Sequence, residues 1–134
     1  MTSTRTATCN CGATRIEARG QPVSVRLCHC TTCRKESGAP FTATAIWRAE
    51  HVTIQGNTAS WKKTTDARHF CRSCGSSLFG VSEGIGEIEI RLGMFDAVPT
   101  DLVPTYELWV VRREKWFEVT TGTEQYAENR TAVV

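Results

Sequence analysis

The stretch Leu27-Cys28-His29-Cys30-Thr31-Thr32-Cys33-Arg34 holds three of the seven cysteines of this 134-residue chain within six residues. In an extended strand alternate side chains share a face, so Cys28 and Cys30 face one way and His29 faces the other. A turn through Thr31 and Thr32 then brings Cys33 back beside them. Three converging thiolates are typical of a metal site, and zinc suits them because it takes soft sulfur ligands without a strong geometric demand.

Zinc in proteins is usually held by four ligands in a tetrahedron, so three cysteines leave one position over. Structural sites close that position with a fourth side chain, whereas catalytic sites keep it for water or substrate. We therefore predict a reactive zinc site at Cys28, Cys30 and Cys33. The alternative is a structural site closed by a distant residue, for which His51 and His69 are the candidates.

The other four cysteines stand in two close pairs. Cys71-Arg72-Ser73-Cys74-Gly75 has the spacing of a zinc knuckle, in which two thiolates lie on a tight turn that ends in glycine. Its expected partner is Cys9-Asn10-Cys11-Gly12, because four thiolates complete a tetrahedron and give a structural site. A rival arrangement joins Cys28, Cys30 and Cys33 to one member of another pair, but it leaves three thiols without a good site.

Length and composition indicate one domain over residues 1–134, since 134 residues with 40% hydrophobic side chains can bury a core of their own. The first seven residues are polar and no run of eighteen apolar residues occurs. We therefore expect neither a signal peptide nor a membrane span, and a cytoplasmic location. Close-spaced cysteines in such a chain indicate metal binding more than disulfide bonds.

The formal charge of +2 does not make the protein basic. Seven thiolates and two zinc ions would bring the net charge to about −1. Nucleic-acid binders usually carry a net positive field or a run of lysines and arginines. We therefore expect no nucleic-acid partner.

Short alternating segments predict an all-β domain. Phe41, Ala43, Ala45 and Trp47 alternate with polar or smaller residues, which indicates a strand with one buried face. A single helical turn is expected at residues 32–37, ended by Gly38. A hairpin is expected around residues 83–85. The expected strands lie at about residues 6–9, 13–18, 23–28, 41–47, 51–55, 67–70, 77–82, 86–92, 106–111 and 116–119.

The ordered cysteine pattern resembles that of one known family. The motifs are Cys9-x-Cys11-Gly12, Cys28-His29-Cys30-x-x-Cys33-Arg34, Ser37-Gly38-Ala39-Pro40-Phe41 and Phe70-Cys71-x-x-Cys74-Gly75. Together they resemble the glutathione-dependent formaldehyde-activating enzymes, whose domain is shared with centromere protein V. The resemblance extends over residues 9–126, nearly the whole chain.

This resemblance implies an Mss4-like fold of several coiled antiparallel sheets with two zinc ions. One zinc ion would be structural and the other, at Cys28, Cys30 and Cys33, would be catalytic. The implied reaction is the condensation of a small thiol, glutathione, with a small aldehyde, formaldehyde, to S-hydroxymethylglutathione, classed as a carbon–sulfur lyase reaction in reverse. The structural zinc would be held by Cys9, Cys11, Cys71 and Cys74.

The chain departs from the family pattern at one position. Members often carry a histidine in a Pro-x-x-His pattern, whereas Pro104-Thr105-Tyr106-Glu107 has a glutamate there. The choice of substrate can therefore differ from that of other members, and the sequence offers no account of Glu107.

Candidate substrate contacts lie beside the three-cysteine stretch. Arg34 can pair with a carboxylate of the thiol, and Ser37 and Gly38 form a turn that can meet its backbone; the alternative is a surface arginine and a plain turn. Aromatic residues on alternating strands are more often core than pocket lining, and this is the favoured interpretation of Trp47, Trp109 and Trp116. A second hypothesis of another class is a zinc-stabilised binding or scaffold module without turnover.

Overall fold

The computed structural model describes residues 3–82 and 84–130. In these residues short segments of β-forming sequence are separated by turns with glycines in the left-handed region. One α-helix, α1 (Thr31–Ser37), lies between the third and fourth strands. The strands are β1 (Thr4–Thr8), β2 (Arg15–Arg19), β3 (Ser24–Cys28), β4 (Thr42–Arg48), β5 (Val52–Gln55), β6 (Thr58–Lys62), β7 (Asp66–Cys71), β8 (Ser77–Ser82), β9 (Glu87–Arg91), β10 (Tyr106–Leu108) and β11 (Glu124–Gln125).

The strands form two sheets. The smaller sheet has the order β1-β2-β5, and the larger has the order β11-β10-β3-β4-β9-β8-β7-β6. The all-β prediction is therefore confirmed. The sheets are not purely antiparallel, however, because β10 runs parallel to both β3 and β11. A long connection follows β9 and places β10 beside β3, so that β3 and β4 lie between it and β9 in the sheet. Such a connection allows β10 to run parallel to β3.

Strand β4 occupies the middle of the larger sheet, between β3 and β9. The sequence predicted one buried face for it, but Thr42 and Thr44 are buried as well as Ala45 and Trp47. The second face is buried because α1 contacts β4 there and charged side chains of the neighbouring strands lie beside the two threonines. Alternating threonines therefore mark a polar interior rather than a solvated surface at this strand.

The hydrophobic core lies between the other face of the larger sheet and the smaller sheet. Trp47 and Ile90 are fully buried there, and the ring of Phe95 packs 5.7 Å from that of Trp47. Burial of such side chains is the main favourable term in folding. The core residues are Ala7, Cys9, Ile16, Ala18, Val25, Ala45, Trp47, Cys71, Leu78, Phe79, Ile88, Ile90 and Phe95.

Helix α1 ends where the sequence predicts, but it begins at Thr31, one residue before the predicted start. Cys30 is the N-cap, and its sulfur accepts a hydrogen bond from the backbone N–H of Cys33 at 3.4 Å. Gly38 ends the helix with φ 70°, and its N–H donates to the carbonyl of Arg34 at 2.8 Å. Cys30 therefore marks the start of the helix, and its sulfur points toward Cys33.

The carboxyl-terminal part differs from the prediction. Strand β10 ends at Leu108 because Trp109 has a left-handed backbone with φ 58°, so the predicted strand 106–111 is too long. The strand predicted at 116–119 is wrong, since these residues form a turn and irregular structure. In the hairpin between β8 and β9 the strands pair as predicted, while Glu83 lies outside the described residues.

No helix among residues 3–82 and 84–130 has the length and apolarity needed to cross a membrane.

We expect substitution of Gly56, in the turn between β5 and β6, to destabilise the fold. Its φ is 113°, and a Cβ atom built there would lie 2.3 Å from the carbonyl oxygen of Ala13 and 2.8 Å from the Cα of Thr14. Gly56→Ala should lower the free energy of unfolding in urea by about 3 kcal/mol, because backbone strain and a backbone clash add. Gly122→Ala is the matched control: its φ is 82° and its surroundings are open, so it should cost about 1 kcal/mol. Equal losses would contradict the clash.

Candidate metal centres

Four sulfur atoms meet where the two sheets approach each other. The ligand atoms of Cys9, Cys11, Cys71 and Cys74 all lie within 4.8 Å of one another. Sγ of Cys11 is 3.6 Å from that of Cys9 and 3.6 Å from that of Cys71. Tetrahedral ligands about 2.3 Å from a zinc ion are about 3.8 Å apart, whereas bonded disulfide sulfurs are about 2.0 Å apart. The spacing of these sulfur atoms therefore fits a metal ion and not a disulfide.

This four-cysteine group links the sheets through their turns. Cys9 and Cys11 lie in the turn between β1 and β2, while Cys71 ends β7 and Cys74 lies in the turn that follows. The backbone N–H of Thr14 donates to Sγ of Cys9 at 3.2 Å. A metal ion held by these four thiols would cross-link parts of the chain that are sixty residues apart.

The four thiols differ in acidity. Although the backbone N–H of Ala13 lowers the pKa of Cys11, the neighbouring thiols of Cys9 and Cys71 raise it to about 11. The hydroxyl and backbone of Ser76 lower the pKa of Cys74 to about 5. A set of mixed thiols and thiolates needs a cation before all four can ionise together, which is the behaviour expected of metal ligands.

The remaining three cysteines form a second group. Cys28 ends β3, Cys30 caps α1 and Cys33 lies in its first turn, and their sulfur atoms are all within 4.8 Å of one another. Cys28 and Cys33 are buried and Cys30 is half-buried. The grouping of the sulfur atoms matches the predicted division into four and three, while metal binding and the roles of the two groups stay predictions.

Neither candidate histidine belongs to the three-cysteine group. Nδ1 of His69 is 3.0 Å from the hydroxyl of Thr58, and its ring stacks on that of Phe79 at 4.5 Å. His51 lies in a surface turn, with half of its side chain exposed. Within residues 3–82 and 84–130 the group consists of cysteines only, so the closed alternative has no support from these histidines.

The sulfur atoms of the three-cysteine group also differ in acidity. Hydrogen bonds from the thiols of Cys28 and Cys30 lower the pKa of Cys33 far below its ordinary value, and Arg68 adds to this effect. Hydrogen bonds with the thiols of Cys30 and Cys33, together with burial, raise the pKa of Cys28. One thiolate is therefore stabilised in this group, and a cation is needed before the others ionise.

A charged sheet face borders the three-cysteine group. Cys28 and Cys33 line a cavity of about 20 Å³, which has room for a water-sized molecule. Its other walls come from alternate residues of β3, β4, β7, β8 and β9, whose side chains share one face of the larger sheet because strand residues alternate. These residues are Arg26, Thr42, Thr44, Asp66, Arg68, Gly80, Glu89 and Arg91.

Glu36 holds α1 against this charged face. It lies one helical turn after Cys33, so the two side chains share a side of the helix. Its Oε1 accepts from Arg68 and Arg91, each at 2.9 Å, and its Oε2 accepts from Arg91 at 2.8 Å and from Ser77 at 3.0 Å. Although burial alone raises the pKa of Glu36, the bonds from Arg91 and Arg68 lower it below the ordinary value. The carboxylate is thus ionised, and it fixes the cysteine-bearing helix on the sheet.

Aromatic residues pack against the cysteines from the side of β10. Tyr106 and Leu108 form one buried cluster with Cys28 and Cys33, and Trp109 packs against it. Nε1 of Trp109 donates to the side chain of Asn129 at 2.8 Å. The group therefore lies between a charged face and an apolar one.

His29 points away from the cysteines, as predicted, and pairs with Glu107. Both side chains are completely buried, and Nε2 of His29 is 2.8 Å from Oε1 of Glu107. The rings of Phe41 and Phe117 lie 5.5 and 5.7 Å from the imidazole ring. Because His29 stands between two of the cysteines in sequence, its fixed position restrains both neighbours.

Glu107 also binds the carboxyl-terminal segment. Its Oε2 accepts hydrogen bonds from the backbone N–H of Thr120 at 3.2 Å, the hydroxyl of Thr123 at 3.2 Å and the amide of Gln125 at 2.9 Å. Although burial alone raises the pKa of Glu107, the bonds from Gln125 and His29, with those from the threonines, lower it. Glu107 therefore joins His29, which directly follows β3, to the segment after β10.

The predicted substrate contacts lie on α1. The guanidinium of Arg34 donates to Glu114 at 2.6 Å and to the carbonyl of Pro40 at 3.2 Å. The hydroxyl of Ser37 donates to the carbonyl of Cys33 at 2.9 Å, and Gly38 ends the helix. These contacts are internal, and substrate binding by the three residues stays a prediction.

The three tryptophans predicted to lie in the core have different surroundings. Trp47 belongs to the main core, and Trp109 packs against the three-cysteine group. Trp116 is 69% exposed. The core interpretation therefore holds for Trp47, while Trp116 belongs to neither the core nor a pocket wall described above.

Sequence reasoning missed Glu36, Arg68, Arg91 and the role of Glu107. The helical spacing from Cys33 to Glu36 is a signal that could have placed Glu36 beside the cysteines. No local pattern marks the arginines, because their contact with Glu36 depends on how β7 and β9 pair in the sheet.

The fold and the cysteines define a class: a β-sheet protein with a four-thiol group that links its sheets and a three-thiol group beside a charged sheet face. Within that class, the chain belongs to the family described as glutathione-dependent formaldehyde-activating enzyme, whose pattern matches residues 4–112. The predicted family is confirmed. The donors to Glu107 at Thr120, Thr123 and Gln125 lie beyond the matched region.

Two individual proteins are also similar. The chain is 31% identical over 92 residues to an uncharacterized lyase of Schizosaccharomyces pombe, with 67% of each chain covered. It is similar in structure to a Rhodobacter sphaeroides protein of known crystal structure, with a TM-score of 0.59 and 23% identity, over 69% of this chain and 89% of the other. The second likeness supports the fold alone.

The two cysteine groups should respond differently to substitution. Cys71→Ser removes a ligand from the group that links the sheets, so we expect loss of one zinc ion and unfolding, since a structural zinc contributes about 10 kcal/mol or more. Cys30→Ser should leave the fold intact. Zinc content by atomic emission and folding by circular dichroism are the measurements. Equal destabilisation by the two variants would contradict this difference.

The buried carboxylate of Glu107 should be important for stability. Glu107→Gln removes the negative charge. It also places an NH₂ group, which can only donate, against groups that donate to the carboxylate in the wild type. We expect a loss of about 3 kcal/mol in the free energy of unfolding of the zinc-loaded protein, measured in urea. Glu50→Gln is the control, because Glu50 is exposed and its contact with His51 is 3.9 Å long. An unchanged unfolding midpoint for Glu107→Gln would show that the buried contacts are dispensable.

Proposed function

We propose that this protein catalyses the addition of a small thiol, of the glutathione type, to formaldehyde or another small aldehyde. The product is an S-hydroxymethyl thiol adduct. The observation that carries this proposal is the pairing of a complete four-thiol group with a three-thiol group, in a chain of the family named above. Three thiols are one ligand fewer than tetrahedral zinc takes, which is typical of zinc sites that bind substrate.

The donor sets of both groups fit zinc. Thiolates are soft ligands, and the sulfur spacing of the four-cysteine group agrees with a tetrahedral ion. We propose one structural zinc ion at Cys9, Cys11, Cys71 and Cys74. We propose a catalytic one at Cys28, Cys30 and Cys33. A zinc ion bound there would supply a Lewis acid that favours the thiolate form of an incoming thiol near neutral pH.

The residues of the chain hold and orient the reactants. Glu36 fixes α1, and so the positions of Cys30 and Cys33, on the larger sheet. Next to α1 lies a groove of about 360 Å³, bordered by Ser37, Phe41, Thr42, Arg91 and Met94 among others. This volume suits a ligand of the size of a short peptide thiol.

The predicted contacts at Arg34, Ser37 and Gly38 are part of the same proposal. Ser37 borders the groove, and Gly38 follows it at the end of α1. Arg34 would meet a substrate carboxylate by exchanging its present partner, Glu114, which is half-exposed and so loses little on release.

The reaction is a simple addition. The sulfur of the thiol forms a bond to the carbonyl carbon, the carbon–oxygen π bond breaks, and its electrons go to the oxygen. The proton that leaves the thiol ends on that oxygen, so the hydroxymethyl product contains all atoms of both reactants. No oxidant or reductant is needed. The protein's contribution is to hold the thiol in its ionised form and close to the aldehyde.

Magnetisation-exchange NMR tests the proposal directly. Glutathione and formaldehyde form their adduct slowly without a catalyst. The rate of exchange between the separate reactants and the adduct can be measured with and without protein. We expect the zinc-loaded protein to increase this rate and Cys30→Ser to abolish the increase. Ser73→Ala, a change in the turn of the four-cysteine group, is the control and should keep the activity.

The outcomes separate the alternatives. Acceleration that is lost in Cys30→Ser supports the reaction at the three-cysteine group. No acceleration by protein that contains two zinc ions per chain would contradict this substrate pair. Other thiols and the non-catalytic binding module would then be the functions to test.

A further inference from the structure

Arg68 on β7 contacts the three-cysteine group directly. Its Nη1 lies 3.6 Å from Sγ of Cys33 and 2.9 Å from Oε1 of Glu36. The guanidinium also lies over the ring of Trp61, 5.8 Å from its centre. Only 15% of the Arg68 side chain is exposed. The arginine is thus held on three sides with its donor directed at a sulfur atom.

The charge of Arg68 is secure. An arginine side chain stays protonated in proteins, and the guanidinium of Arg68 donates to the carboxylate of Glu36 at 2.9 Å. Glu36 is shared with Arg91, so one carboxylate serves two guanidinium groups. Arg26 is paired with Glu89, and Asp66 lies at the cavity wall. Of these cations, Arg68 is the one whose hydrogen bond to a cysteine sulfur the structure shows.

A cation at this place has a clear electrostatic use. Three thiolates and one divalent ion carry a net charge of about −1, and a fourth thiolate from a substrate would make it about −2. Half-buried negative charge is costly unless a positive charge lies close to it. A charge-assisted N–H···S hydrogen bond also withdraws electron density from the sulfur and limits its reactivity toward electrophiles.

We propose that Arg68 is a positioning residue of the three-cysteine group, which orients the sulfur of Cys33 and offsets the negative charge that a bound substrate thiolate adds. The first part concerns the metal ligand itself and is independent of the reaction. The second part rests on the function proposed above. Both parts assign to Arg68 a role that its neighbour Arg91 does not share.

Arg91 provides a matched control because it binds the same carboxylate. Its side chain donates to both oxygens of Glu36, to the hydroxyl of Thr44 at 3.4 Å and to the carbonyl of Glu89 at 3.4 Å. None of these contacts is with sulfur. Loss of Arg91 therefore disturbs Glu36 and the packing of α1 without removing the hydrogen bond to Cys33.

Cobalt substitution of the full chain tests the first part. Co²⁺ replaces zinc in thiolate sites and gives sulfur-to-metal charge-transfer absorption in the near ultraviolet. Both cysteine groups would contribute, but the contribution of the four-cysteine group cancels when the spectra of two variants are subtracted. We expect Arg68→Gln to shift this absorption to longer wavelength, because the sulfur loses its hydrogen bond. Arg68→Lys should give a smaller shift because the charge is kept. Arg91→Gln should also give a smaller shift, because it disturbs α1 but keeps the hydrogen bond to Cys33.

Alkylation of the zinc-loaded protein gives a second readout. Iodoacetamide should modify Cys33, located by mass spectrometry, about tenfold faster in Arg68→Gln than in the wild type, the lower range of what a charge-assisted hydrogen bond is worth. The increase in Arg91→Gln should be clearly smaller, because the hydrogen bond to Cys33 remains. An unchanged spectrum and rate in Arg68→Gln, or equal changes in Arg91→Gln, would overturn the proposal.

The second part, that Arg68 offsets the charge of a bound substrate thiolate, is tested by measuring how the exchange rate depends on thiol concentration. Arg68→Gln should raise the KM for the thiol, and Arg68→Lys should restore most of it because the charge returns. An unchanged KM in Arg68→Gln would contradict the offset of charge. If the wild-type protein shows no turnover, the proposed function fails, while the cobalt spectra and alkylation rates still decide the contact between Arg68 and Cys33.

Discussion

The arrangement of this fold depends on the convergence of four thiols from two distant turns. The turn after β1 and the turn after β7 belong to different sheets, and their sulfur atoms lie at the spacing of tetrahedral ligands. The hydrophobic core lies between the same two sheets. A metal ion bound by these thiols would cross-link the two sheets beside the core and so restrain the distance between them.

The three-cysteine group differs from the four-cysteine group in where its thiols come from. Its sulfur atoms come from one short stretch, and its surroundings are supplied by the rest of the fold: a charged sheet face on one side and the aromatic residues of β10 on the other. Two buried carboxylates hold this environment together. Glu36 binds the helix to β7 and β9, and Glu107 binds the strand before the helix to the carboxyl-terminal segment. Buried carboxylates are stable only when donors surround them, and both of these have several.

Glu107 lies inside the region that matches the family, but part of its surroundings lies outside that region. The family pattern covers residues 4–112, yet the donors to one oxygen of Glu107 come from Thr120, Thr123 and Gln125. A histidine at this position could not accept four hydrogen bonds, because a neutral imidazole has a single acceptor nitrogen. The glutamate and the carboxyl-terminal segment therefore form one unit, which packs Phe117 against His29. The position of the departure is thus explained by long-range packing rather than by contact with a cysteine.

The sequence by itself determined the grouping of the cysteines and much of the local structure. The spacing of the cysteines gave the division into four and three, Gly38 marked the end of α1, and alternation located most of the strands. These features depend on neighbours in the chain. Only the tertiary structure decided that β4 is buried on both faces, that β10 runs parallel to β3, and that Arg68 and Glu107 have their partners. Those outcomes depend on which strands become neighbours and which charges share a buried space, and such pairings join residues that are up to about eighty positions apart. Local pattern carries no information on such contacts, since they follow from packing of the whole chain.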